Sequence, residues 1–146
     1  MNLSNFAERL AELFFEHGLN ARKFAQAINC TPTTIGRYLN AQKMPVLDMV
    51  VRMSDYFQCT TDFLLGLTDE NNVKQFTPLP PFSKRFPMLC KQFGYTKYRL
   101  QKLTGIPESS LYNWQRGDNV PAIDRLVQIA EIFGCSVDYL IGRSNY

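Results

Sequence analysis

One histidine, His17, and four cysteines at positions 30, 59, 90 and 135 are the residues best suited to metal binding or nucleophilic chemistry. Their spacing supports neither. No two cysteines form a Cys-x-x-Cys pair, so a zinc site would lack close ligands and a disulfide framework would lack its density. There is no Ser/His/Asp or Cys/His constellation, no Gly-rich phosphate loop and no pair of acids beside a plausible cleft. The expectation is a protein that is not an enzyme and carries neither cofactor nor metal. His17 precedes Gly18 and reads as a favourable cation at a helix C-terminus.

The chemistry that remains is that of charge. Net charge is +3, and it is unevenly spread. Residues 1–67 carry six basic and six acidic side chains, residues 68–81 sum to −1, and residues 82–146 sum to +4. The excess in the second half points to an anionic partner. With 146 residues, 45% apolar and 20% charged, the chain reads as globular and as one ordinary domain or two small ones. No apolar run approaches the roughly 20 residues of a membrane span, and the first residues lack the basic and apolar regions of a secretory signal. A reduced, cytoplasmic compartment is the expectation.

An internal repeat sets the organisation. Positions 6–67 match positions 82–143 without a gap, with 12 identities in 62. The matches cluster at structural positions: Phe6 with Phe82, Arg9 with Arg85, Leu13 with Leu89, Gly18 with Gly94, Pro45 with Pro121 and Gly66 with Gly142. Cys59 and Cys135 share one repeat position and read as core. The expected domains are residues 1–67 and 82–146, joined by a linker over 68–81 that is polar at first and then proline-rich.

Periodicity within each copy is helical. In the first copy Phe6, Leu10, Leu13 and Phe14 share one face, and Phe24, Ala25 and Ile28 face the core from a second helix. Thr31 is a good N-cap and Pro32 suits the first helical position, so a third helix runs to about Asn40. A fourth is predicted from Pro45, burying Val46, Val50, Met53 and Phe57. A short fifth, capped by Thr60 or Thr61, buries Phe63 and Leu64 and stops at Gly66. The second copy predicts later helices over Lys97–Thr104, Glu108–Arg116, Ala122–Phe133 and Ser136–Ile141. The fold class is all-α, two tandem five-helix domains.

Only Asn29-Cys30-Thr31 and Gly105-Ile106-Pro107 separate the second and third helices of the two copies. Gly or Asn can take the left-handed conformation a sharp corner needs, and an apolar residue can plug it. This is a helix-turn-helix arrangement. The stretch Leu100–Gly117 and the endings Phe63-Leu64-Leu65-Gly66 and Asp138-Tyr139-Leu140-Ile141-Gly142 resemble the phage-repressor-like (Cro/cI, or XRE, type) helix-turn-helix family. The resemblance implies a lambda-repressor-like fold and a sequence-specific regulator of transcription that reads the major groove of double-stranded DNA.

It also implies roles for particular residues. Pro32, Thr33, Thr34 and Arg37 occupy the base-reading positions of the first copy; Glu108, Ser109, Ser110 and Asn113 occupy those of the second. By side-chain type, Arg37 suits guanine, Asn113 adenine and Glu108 cytosine. Phosphate contacts fall to Asn20, Thr31, Asn40 and Lys43, and to Thr96, Lys97 and Arg116, with Arg99 and Lys102 as wider basic surface. Trp114, paired in the repeat with Tyr38, reads as a packed residue. Many relatives pair an Arg late in the first helix with a Glu late in the third; here Phe14 with Leu39, and Cys90 with Gln115, stand there. Gln101 replaces a small residue, and Ala41 replaces the glycine seen as Gly117.

An alternative reading keeps the fold as a protein-interaction or antitoxin-like module in which one copy no longer touches DNA. The neutral first copy is the candidate. Two readers on one chain imply a monomer acting as a pseudo-dimer, with homodimerisation through the apolar fifth helices as the other possibility.

Overall fold

The computed structural model describes residues 2–72 and 75–145; positions 1, 73, 74 and 146 lie outside the described residues. The chain divides into two compact units, Met1–Val73 and Lys74–Tyr146. Among the described residues each unit holds five helices and no strand. The all-α, two-domain reading matches this architecture.

In the first unit the helices are α1 (Leu3–His17), α2 (Ala21–Ala27), α3 (Pro32–Leu39), α4 (Leu47–Phe57) and α5 (Thr61–Leu64). Local chemistry sets their starts. Asn2, Asn20, Thr31 and Thr60 each accept a backbone N–H with the side chain, satisfying donors that the first helical turn leaves unpaired. The apolar faces then meet in one core. Phe6, Leu10, Phe24, Ile35, Val50, Met53, Leu64 and Leu65 are fully buried there, each contributing roughly 1.5–3 kcal/mol through area removed from water. Phe24 is the hub of its aromatic part: Phe14 meets it edge-on at 5.0 Å and Phe57 stacks on it at 5.2 Å.

One expectation for α4 fails. Val46 is 65% exposed, and Leu47 takes the buried place at the helix start. Val46 is the extended N-cap residue (φ −71°, ψ 163°), so its side chain does not follow the helical periodicity that begins after it. Pro45 is buried while Val46 turns outward. Phe63 is only half-buried.

The second unit repeats the plan as α6 (Phe82–Phe93), α7 (Lys97–Thr104), α8 (Glu108–Arg116), α9 (Ile123–Phe133) and α10 (Val137–Ile141). Phe86, Leu89, Leu100, Ile106, Leu111, Leu126, Ile129 and Leu140 form its core. Trp114 is buried edge-on to Phe82 and Phe86, as its partnership with Tyr38 implied. Cys59 is buried, whereas Cys135 keeps part of its surface exposed.

Arg9 and Arg85, equivalent in the repeat, do the same work in the two units. Arg9 donates to the Phe63 carbonyl at 2.7 Å and lays its guanidinium 3.9 Å from the Phe63 ring. Arg85 donates to the Tyr139 carbonyl through Nη2 at 2.6 Å and Nε at 3.2 Å, with the Tyr139 ring 4.8 Å away. Each arginine satisfies a carbonyl of the last, shortest helix, which has few backbone bonds of its own. Gly66 and Gly142 follow those helices at φ +73° and +83°. A Cβ on them would sit 2.8 Å from the Asn5 carbonyl oxygen and 2.7 Å from the Pro80 ring, so both glycines are required by space as well as by conformation.

The segment over 68–81 is divided between the units. Arg9 donates to the Thr68 carbonyl and the Asp69 carboxylate, and the Thr60 N–H donates to Asn71 Oδ1. On the other side the Phe76 ring lies 3.6 Å from the Arg143 guanidinium. Thr77 donates from its N–H to the Arg143 carbonyl at 2.8 Å and from Oγ1 to the Gly142 carbonyl at 2.9 Å. Arg143 also pairs with Asp138 at 3.1 Å, both side chains buried.

Candidate nucleic-acid interface

The corner between α2 and α3 is made by Asn29 at φ +58°, after which the Cys30 N–H reaches back to the Ala25 carbonyl at 2.8 Å. Thr31 then caps α3: its Oγ1 accepts from the Thr34 N–H at 3.2 Å and lies 2.8 Å from Thr34 Oγ1. Ile35 and Tyr38 turn inward and are buried. The opposite face therefore presents Pro32, Thr33 and Arg37 to solvent, with Thr34 half-buried. Thr31 and Thr34 share one hydroxyl–hydroxyl hydrogen bond, which leaves one of the two O–H groups free to donate elsewhere, beside Thr33 and Arg37. Arg37 makes no side-chain hydrogen bond among the described residues. Asn40 and Lys43, just past the helix, are exposed.

In the second unit Gly105 (φ +72°) makes the corner and Ile106 plugs it, fully buried. Thr104 adds a local brace, donating to the Leu100 carbonyl at 2.6 Å while accepting from the Ile106 N–H at 3.0 Å. Leu111 and Trp114 face inward. Glu108 and Ser109 are exposed, and Ser110 and Asn113 are half-buried. Gln101 at the position of Ala25 is half-buried and leaves this corner intact.

Asn113 is not independent. Arg116 donates through Nη2 to Asn113 Oδ1, while its Nε pairs with Asp118 at 3.0 Å. A guanidinium can only donate, so the Asn113 oxygen is turned towards Arg116 by necessity. Sequence reasoning placed Asn113 and Arg116 in separate roles; the structure joins them. Their spacing of three residues on one helix was the available signal.

The phosphate candidates divide similarly. Asn20 and Thr96, equivalent in the repeat, cap α2 and α7 by accepting from the N–H of Lys23 at 2.8 Å and of Arg99 at 3.1 Å. Lys97 lies with Nζ 4.4 Å from the Tyr112 ring, joining the start of α7 to α8. Arg99 stands over Tyr95 at 4.7 Å and Lys102 over Tyr98 at 5.4 Å. Three tyrosines thus hold three cations on this surface, a pattern absent from the sequence-based list although two of the pairs are four residues apart. The exits from the third helices agree: Ala41 at φ +57° copies Gly117 at φ +81°.

Burial pushes the Cys90 thiol up to about 11, with the nearby Lys97 charge pulling the other way, so it is a neutral thiol at ordinary pH. Burial also raises the Tyr38 hydroxyl, with a smaller contribution from Cys30.

Two helix pairs with sharp corners, an inward apolar face and an outward polar face define a tandem helix-turn-helix protein. The helix-turn-helix family model matches residues 9–64 and again 88–140, and the chain belongs to that family, of the XRE type. It is also similar to an uncharacterized HTH-type transcriptional regulator, YobD, of Bacillus subtilis (strain 168). That likeness is 29% identity over 82 residues, covering 51% of this chain and 73% of the relative. No solved structure matches the chain. No helix among the described residues is long and apolar enough to cross a membrane.

Proposed function

We propose that this chain is a cytoplasmic, non-enzymatic regulator of transcription that binds double-stranded DNA sequence-specifically, with α3 and α8 as its two recognition helices. Family membership carries the coarser part, a DNA-binding helix-turn-helix regulator, and the name of the Bacillus relative agrees with it. The finer part rests on one observation: in both units the helix after the corner buries its apolar side and leaves side chains suited to base edges outward. Thr33 and Arg37 are those side chains in α3; Glu108, Ser109 and Asn113 are those in α8. Lys97, Lys43 and Asn40 are the phosphate contacts, with the capped starts of α2 and α7 beside them, and Arg116 instead joins Asn113 on the base-reading side of α8.

The second unit supplies most of the sequence-independent affinity, because the +4 excess and the tyrosine-held cations belong to it. The neutral first unit favours a second reading, in which it serves as an interaction module while the second unit alone holds DNA. Selection of binding sites from random DNA separates the two. Two unlike half-sites support paired reading; one half-site supports the interaction module. A salt titration on mixed-sequence DNA tests the phosphate assignments: Lys97→Ala should flatten the log–log slope by about one. A change in base preference at unchanged slope would refute the Lys97 assignment.

A further inference from the structure

Cys90 stands in α6 where the repeat places Phe14 in α1. Phe14 is buried against Phe24 in the first unit, and the second unit has no ring at this position. Cys90 lines a cavity of about 490 Å³ between α6, the start of α7 and α8. Four aromatic rings line it, Phe86, Tyr95, Tyr98 and Tyr112, the last standing where the first copy has Gly36. Lys91 and Lys97 also line it, and no acidic side chain does. Its size is that of a small-molecule site rather than a water pocket, and aromatic walls beneath two positive charges fit a flat ring bearing an anion.

We propose that this cavity binds a planar aromatic carboxylate, and that its occupant competes with DNA for the second unit. The competition rests on the function proposed above, because Thr96 and Lys97 line the cavity and are assigned to the DNA backbone. The carboxylate meets Lys91 or Lys97, and the ring lies on the tyrosines above Cys90. A bare phosphate would use the lysines and leave the aromatic floor empty.

The test is calorimetric titration of 2-naphthoate into the full chain without DNA. A dissociation constant below about 1 mM is expected, weakened at least tenfold by Cys90→Phe, which restores the ring of the first copy, and about tenfold by Lys97→Gln. The neutral 2-naphthamide should bind about tenfold more weakly than the acid, and inorganic phosphate should not displace it. Lys97→Gln, which leaves the apolar core unchanged, keeps the test open if Cys90→Phe does not fold. Equal binding of acid and amide, displacement by phosphate, or unchanged affinity in both variants would overturn the site. With DNA present, 2-naphthoate should weaken binding of the wild-type chain and leave folded Cys90→Phe unaffected. Naphthoate binding with unchanged DNA affinity overturns the competition alone, and a chain that binds naphthoate but no DNA overturns the proposed function alone.

Discussion

Arg116 changes what Asn113 can offer a base. An asparagine reads adenine by donating to N7 and accepting from N6, which needs both amide atoms turned to one base edge. Here the oxygen is drawn to Arg116, and Asp118 steadies the guanidinium from the other side. The outward part of the pair is rich in N–H donors and suits the two acceptors of guanine. Guanine is therefore expected at the base pair that Asn113 faces. Arg116→Ala should release the amide and move the preference to adenine, a discrimination of about 1–3 kcal/mol measurable by competition between sites differing at that pair. Adenine preference in the wild-type chain, unmoved by Arg116→Ala, would contradict this. Backbone strain gives a second test at this scale. Ala41 holds a left-handed conformation that Gly117 holds without penalty. Ala41→Gly should raise stability by about 1 kcal/mol in urea unfolding, whereas Gly117→Ala should lower it.

Among the elements, the shortest helices depend most on residues far away in sequence. α10 has five residues, and its Tyr139 carbonyl accepts twice from Arg85. Arg85→Met keeps the apolar stem and removes the donors, at a cost of about 1–3 kcal/mol. Amide exchange should quicken first in α10, while exchange throughout the core at one common rate would show that the helix does not open separately. Cys90 in α6 adds a pH dependence. Its thiol ionises near 11 in the folded chain against an ordinary value of 9.0, so the native state holds the proton more tightly than the unfolded one. Stability is complete below pH 9 and falls as pH rises towards 11. The loss is on the order of 1 kcal/mol, discounted for a thiol that keeps part of its surface in water, and Cys90→Ala should remove it from a pH series of denaturation midpoints.

What the sequence made legible at this scale follows from local signals. α7 and α8 have the expected bounds because Thr96, Gly105, Pro107 and Gly117 punctuate them. α4 begins later than expected because an extended N-cap residue carries no helical periodicity, and Val46 therefore counted wrongly as core. The Arg9 and Arg85 anchors were visible only as an identity in the repeat, since their partners are backbone carbonyls 54 residues away. The cations over Tyr95 and Tyr98 were readable from four-residue spacing; Lys97 over Tyr112 needed the fold. The Asn113–Arg116 pair was readable as a neighbourly spacing, but its consequence for base choice comes from which amide atom faces the guanidinium.

For the whole molecule, duplication is the governing fact. Under the proposed function, two readers on one chain would replace the second subunit of a dimeric helix-turn-helix protein, and tethering would supply the second reader at about millimolar effective concentration. The tether is shorter than the full stretch from Leu67 to Pro81, which could extend roughly 50 Å. Asn71 is already bonded to the first unit and Phe76 to the second. The stretch between those two anchors spans at most roughly 18 Å, which sets an upper limit on the distance between them. Because every position proposed to read bases differs between α3 and α8, the half-sites should be unlike. The most direct measurement is the affinity of the wild-type, Arg37→Ala and Asn113→Ala chains for the best site selected from random DNA, with each half-site scrambled in turn. If both helices read DNA, Arg37→Ala should lose discrimination at one half-site only and Asn113→Ala at the other, with one chain bound per site. A palindromic site holding two chains, indifferent to Arg37→Ala, would contradict the account and leave the first unit as an interaction module.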